Sequence, residues 1–281
     1  MTAQPELEGM PRRLFSCTPS RLTTWLDCPR RYRLTYLDRP SPPKGPPWAH
    51  NTIGAAVHLA LARWWSLPLA GRTPAAGRTL VASAWSSEGF ADEASAALWR
   101  ERSAAMVEGY LAAVDPADEP LGVERTVAVP TAALALSGRV DRVDARGDEV
   151  VIVDYKTGRW VPGLDDVRGS LALALYALAA RRTFRRHCAT VELHHLPSGQ
   201  VASFEHTDAS LARHLGRAED IAAEAVAATE ALAAGGDAEQ HFPARPGPAC
   251  GWCDYVRSCP IGLATAGTPR SPWDGLPREA A

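Results

Sequence analysis

Val150-Val-Ile-Val-Asp154-Tyr155-Lys156-Thr-Gly158 is a run of apolar residues that leads into an acid-x-Lys triplet and ends on a glycine. A short apolar run closed by a turn signal reads as a buried strand. Side chains on a strand alternate, so Asp154 and Lys156 share one face at its end. Only two of the 30 basic residues are lysines, Lys44 and Lys156. The planar guanidinium of arginine cannot replace a compact ammonium that must touch one water or one phosphate oxygen. Twelve residues separate this triplet from Asp141 in Ser137-Gly-Arg-Val-Asp141-Arg, a second carboxylate on a preceding strand. Two carboxylates and an ammonium at neighbouring strand ends can hold Mg2+ or Mn2+ and activate a water for phosphodiester hydrolysis. The backbone carbonyl of Tyr155 offers a further oxygen. A bare Asp-x-Lys would read as an exposed ion pair, and the apolar run and hairpin strand before it favour chemistry instead.

Around this stretch the chain is ordinary in bulk. Its 281 residues, 46% hydrophobic and 22% charged, suffice for a sizeable core. A net charge of −2 carries no global nucleic-acid signature. Basic residues do cluster locally, at 12–44 and again at Arg181, Arg182, Arg185 and Arg186. Such clusters suit a phosphate-tracking groove and an ordinary solvated face equally well. There is no apolar leader and no membrane-length run, which predicts a cytoplasmic protein without membrane association. Neither lysine follows a glycine, so the Gly-Lys-Ser/Thr of a Walker A loop is absent.

Periodicity and punctuation predict a flexible arm over 1–15, then a helix capped by Ser20 that Pro29 ends or kinks. Pro40–Pro47 is a stiff connector. Helices follow at 52–65 and across 75–114. Three strands come next, at 123–129, 133–145 and 149–155, the last two joined by a turn at Arg146-Gly-Asp148. A helix over 166–183, a strand pair at 190–196 and 200–205, and a long helix over 211–234 complete the core. The order predicts an α/β fold: a mixed sheet flanked by helices, with a helical lobe at the front. Residues 16–262 form the domain, and 263–281 a disordered tail.

Cys250, Cys253 and Cys259 lie within ten residues, and in a reducing compartment six cysteines suggest metal or cluster ligation over disulfides. Thiolates suit zinc and iron–sulfur clusters alike, and the fourth ligand must come from elsewhere, with Cys28 the best placed and Cys17 its rival. Cys188 reads as core. His58 alone, among alanines and leucines, would read as a core histidine. Trp25, Trp64, Trp65, Trp85 and Trp99 read as core, while Trp160, just past the Asp-Tyr-Lys strand, is placed either to pack or to stack on a base. Arg21, Arg30, Arg31 and Arg139 are candidates for phosphate contacts.

These motifs, in this order, resemble the PD-(D/E)xK nucleases, specifically the RecB-like exonuclease group with a four-cysteine cluster, which includes the CRISPR-adaptation nucleases. Gly54-Ala-Ala-Val-His58, Gly138-Arg-Val-Asp141 and Asp154-Tyr-Lys156-Thr-Gly158 match that pattern. The final element, Gln-x-x-x-Tyr, keeps Tyr176 but has Ala172 at the glutamine position. The resemblance implies a restriction-endonuclease-like fold, with an iron–sulfur cluster stapling the N- and C-terminal regions. It implies His58, Asp141 and Asp154 as metal ligands, with Lys156 and Tyr176 beside them. Cys28, Cys250, Cys253 and Cys259 would hold a 4Fe-4S cluster. An imidazole ligand shifts preference from Mg2+ toward Mn2+. The expected activity is a DNA exonuclease on single strands or duplex ends, in repair or recombination. Two alternatives stay open: a DNA-binding module impaired by Ala172, and a subunit that depends on a separate helicase.

Overall fold

Before the sheet is complete, the chain of this computed structural model, which describes residues 14–276, builds a strand and most of a helical lobe. Strand β1 (Phe15–Cys17) precedes α1 (Pro19–Asp27) and α2 (Pro29–Tyr36), and the lobe continues with α3 (Ala49–Trp65), α4 (Pro74–Ala84) and α5 (Glu93–Leu111). The cap of α1 is Thr18, not Ser20: the Thr18 hydroxyl accepts from the Arg21 amide, and Pro19 occupies the first helical position, which suits its fixed φ. Pro29 separates α1 from α2 as expected, with Cys28 at the joint. The helical region predicted over 75–114 is two antiparallel helices broken at 85–92.

Strands β2 (Gly122–Pro130), β3 (Leu134–Arg146) and β4 (Glu149–Lys156) form the meander read from the sequence. Gly147, at φ +61°, supplies the left-handed turn between the last two. The helix predicted over 166–183 is broken at Ser170, into α6 (Leu164–Gly169) and α7 (Leu171–Phe184), because the Ser170 hydroxyl caps a fresh start. Strands β5 (Thr190–His195) and β6 (Gln200–Glu205), then α8 (Asp208–Ala233), follow close to expectation, and short α9 (Ala238–His241) and α10 (Pro260–Ala266) complete the order.

The sheet is mixed and open, flanked by helices. β3 pairs antiparallel with β2 along one side. On its other side it pairs parallel with β1 over 134–136 and antiparallel with β4 over 142–146, leaving 137–141 without a strand there. β4 then pairs parallel with β5, and β5 antiparallel with β6. Strand β1 escaped prediction because it is three residues long and its partner lies more than a hundred residues away. On β4, Val151, Val153 and Tyr155 pack toward the helical lobe, while Val150 and Ile152 pack toward α7. Asp154 and Lys156 continue the second row. A third cluster joins α1, α8 and β1 through Leu22, Trp25, Cys17 and Ile221.

Of the expected N-terminal arm, residues 1–13 lie outside the described residues. The expected tail differs from prediction over its described part: it is helical to Ala266, the Pro272 carbonyl accepts from the Ala49 amide, and Leu276 packs on the lobe. Residues 277–281 lie outside the description. Among the described residues no helix is long and apolar enough to cross a membrane.

Candidate active site

Asp141 and Asp154 sit one position beyond the last β3–β4 pair, Arg142↔Val153, and face each other where the ladder opens. In place of a ladder bond, the Tyr155 amide donates to Asp141 Oδ2 at 2.8 Å. The Lys156 ammonium closes on Asp154 Oδ2, the contact that strand alternation predicts. Burial raises the pKa of Asp154, the Lys156 charge opposes that, and the Asp141 charge adds to it, with a net rise. From α3, His58 Nδ1 lies 3.2 Å from Asp141 Oδ1. Burial works against the His58 imidazolium, but the hydrogen bond and charge of Asp141, with Asp154 and Glu124 behind, carry its pKa above the ordinary value.

Tyr176 reaches the same groove from α7. Burial, with the charges of Asp154 and Asp141, pushes its phenol up to about 12. Gly138 is required beneath it: a Cβ there would collide with the ring edge of Tyr176. Gly54 is a weaker case, since its added Cβ would meet only Thr157 Oγ1 at 3.7 Å. The groove is wide and open, lined by Thr18, Gly54, His58, Glu124, Arg139 and Tyr176 among others.

Glu124 is the functional candidate that sequence reasoning missed. It lies on β2 in an unremarkable alternating strand, with no motif to mark it. Donor atoms of His58, Glu124 and Asp141 lie within 4.8 Å of one another, a set able to hold a metal ion. Burial raises the Glu124 pKa, Arg139 lowers it and Asp141 raises it again. Among described residues no other three histidine, cysteine or acidic side chains meet that spacing.

The predicted phosphate contacts divide. Arg139 is exposed on the groove and pairs with Glu124 at 2.8 Å. Arg21 is instead structural, stacked on Phe15, Tyr32 and Tyr36 and bonded to Tyr32 and the Ser16 carbonyl. Arg30 is buried and paired with Glu239, and Arg31 pairs with Asp27; both line the cysteine cavity. In the second basic cluster, Arg186 donates to the Gly147 carbonyl, at the hairpin turn. That is the end of β3 and β4 opposite the two aspartates. His194 and His195 are buried and committed to protein partners, His194 to Tyr110 and Glu192, His195 to Ser198 and the Gly158 carbonyl. Trp160 stands 76% exposed beside the groove strand, while Trp25, Trp64, Trp65, Trp85 and Trp99, the five read as core, pack as expected.

A second centre lies at the far end of α1. Cys28, Cys250, Cys253 and Cys259 line one mainly apolar cavity with Arg30, Arg31 and Tyr255. Cys17 is not among them, being buried on β1 in the α1–α8 core, and Cys188 is core as read. Amides donate toward two of the thiols, Arg245 N to Cys28 Sγ at 3.5 Å and Gly262 N to Cys259 Sγ at 3.3 Å. Burial raises the Cys253 pKa, partly opposed by the Tyr255 amide and Arg31.

The mixed sheet thus brings two carboxylates and an ammonium together where the β3–β4 ladder opens, with an imidazole from α3 beside them. The chain belongs to the PD-(D/E)XK nuclease superfamily, whose family model matches residues 16–260. A protein from Eubacterium rectale provisionally described as an exonuclease, solved at 2.19 Å, is similar at 11% identity and a TM-score of 0.33, over 63% of this chain and 84% of that one. No curated protein matches the chain.

Proposed function

We propose that this nuclease is a DNA exonuclease acting on single strands or duplex ends in repair or recombination, with residues 16–262 as its working unit. The observation that supports the site best is the Asp154–Lys156 contact opposite Asp141, where the β3–β4 ladder opens. His58, Asp141 and Asp154, with the Tyr155 carbonyl, are the ligands of a divalent ion, Mn2+ or Mg2+. The donor set fits a hard cation, and the imidazole tilts it toward Mn2+. When bound, that ion polarises phosphoryl oxygen and lowers the pKa of water. Lys156 orients the attacking water and offsets charge on the phosphate. Tyr176 supports the substrate from the opposite wall, and Trp160 gives an exposed ring on which a base can stack.

The experiment is degradation of labelled single-stranded DNA with Mn2+. Lys156→Ala should lower the rate by roughly 10²–10³-fold, the scale of losing one preorganised electrostatic contact. Undiminished cleavage removes the assigned role. Closed circular single strands should resist the enzyme, and rapid cutting of circles would replace exonuclease with endonuclease.

The four cysteines are proposed to hold a 4Fe-4S cluster. In support, they line one cavity with cationic and amide donors facing the sulfurs. Brown, anaerobically purified protein that loses its visible absorbance in Cys253→Ala is the expected result. A nuclease-impaired DNA-binding module is the second reading, favoured by Ala172. It predicts salt-sensitive DNA binding without metal-dependent cleavage. Dependence on a helicase subunit predicts co-purification of a motor protein.

A further inference from the structure

Glu124 holds a backbone conformation that its strand does not call for. Its φ is +48°, in the left-handed region that a non-glycine residue adopts at a cost. Such strain survives only where the surroundings impose it, and it gathers at functional sites. The β2–β3 ladder shows where the distortion lies. Val123 pairs with Arg142 and Arg125 with Val140, while the position between them, Glu124 against Asp141, is left unpaired. One strand further on, Asp141 stands against Asp154, again one step past a regular pair. Three adjacent strands therefore carry a transverse row of carboxylates, 124, 141 and 154, and each member sits at an interruption in the ladder.

The two ends of this row differ in their neighbours. Asp154 is taken by the Lys156 ammonium. At the other end, Glu124 Oε2 accepts from Arg139 Nε at 2.8 Å, with the Arg139 side chain 72% exposed. An exposed ion pair of that kind is too weak to impose a left-handed backbone. The carboxylate is also drawn inward, where its donor atom joins those of Asp141 and His58 within 4.8 Å. A carboxylate has two oxygens, so Glu124 can serve an ion with one and a guanidinium with the other.

We infer that Glu124 is a further ligand of the groove's divalent ion, and that its second oxygen fixes Arg139 as a phosphate contact beside that ion. The assignment rests on the metal reading proposed above and adds to it a ligand from β2. On this assignment His58, Glu124 and Asp141, whose donor atoms lie within 4.8 Å of one another, would hold the ion together. This arrangement also couples ion and substrate, because the residue that completes the coordination shell aims the arginine.

The test is calorimetric titration of Mn2+ into the full chain, purified anaerobically and without nucleic acid. Even lost outer-shell partners cost metal sites 10–100-fold, so Glu124→Gln should weaken Mn2+ by more than about tenfold. Glu124→Gly should weaken it equally, yet unfold at a higher temperature than Glu124→Gln, since glycine accepts the left-handed backbone. Arg139→Gln should keep Mn2+ affinity within about twofold while weakening single-stranded DNA binding and lowering its salt dependence. Should Glu124→Gln bind Mn2+ as tightly as wild type while Asp141→Asn does not, Glu124 is no ligand and the metal reading stands. A wild-type chain that takes up no Mn2+ would overturn both.

Discussion

The acidic groove takes its strand residues from neighbouring strands, with β3 and β4 joined by a two-residue turn, so that Asp141 and Asp154 meet by register alone. The cysteine cavity gathers Cys28 and the 250–259 segment from places more than two hundred residues apart. The groove is open and polar, and its ligands are placed by backbone geometry. The cavity is mainly apolar, and its four thiols have no strand or helix in common. A site made by register needs only the sheet to fold, whereas one made by distant segments would, with the proposed cluster bound, tie those segments together. Ties across long loops remove the most freedom from the unfolded chain. Chemistry and stability should therefore separate between the two centres.

A crossed pair of variants tests that separation most severely. Asp154→Asn is expected to lower Mn2+-dependent cleavage by on the order of 10²-fold or more and to leave visible absorbance and melting temperature nearly unchanged. Cys28→Ser should do the reverse, abolishing the absorbance and costing about 2–5 kcal/mol, the usual range for a lost native cross-link. At this chain length that is a fall of roughly 4–20 °C. Mn2+ affinity should survive it. Thermal melts and Mn2+ titrations of both variants decide, and a Cys28→Ser chain that melts like wild type would show the cavity to be no staple.

Gly138→Ala probes where the two kinds of construction meet. A methyl there would displace the Tyr176 ring, and overpacking of this sort costs about 1–3 kcal/mol. Melting temperature and DNA affinity should both fall, with Mn2+ affinity retained. Ala172→Gln is the mildest test. Ala172 lies one turn before Tyr176 on α7, and restoring an amide there should raise turnover several-fold if it completes water or substrate positioning. A rate unchanged within error would mean that this chain positions its water without that amide.

Much of the groove was legible because strand alternation and short spacing dictate it. Asp154 and Lys156 had to share a face, and the turn at Gly147 had to bring Asp141 across. Glu124 was not legible, since its approach to His58 depends on the β2–β3 register and on a left-handed residue that no turn signal announced. The cap at Thr18 was readable from Pro19 and was assigned two residues too late. Arg30 shows a different limit. Its charge suggested a phosphate contact, but burial against Glu239 turned it toward the cysteines, and only tertiary packing sets that. Packing likewise separates Cys28, the better placed in the sequence, from its rival Cys17: β1 draws Cys17 into the core while Cys28 lines the cavity.

The bond from the Tyr155 amide to Asp141 has a consequence for how this chain can vary. One side chain both fastens two strands and presents a donor to the solvent side, so its bearing is inherited from the peptide unit opposite. Exchange at that position disturbs the weave of the sheet together with whatever it was meant to grip. Divergence should accordingly accumulate on the β2 flank, where a ligand can be gained or given up without unpicking the fabric.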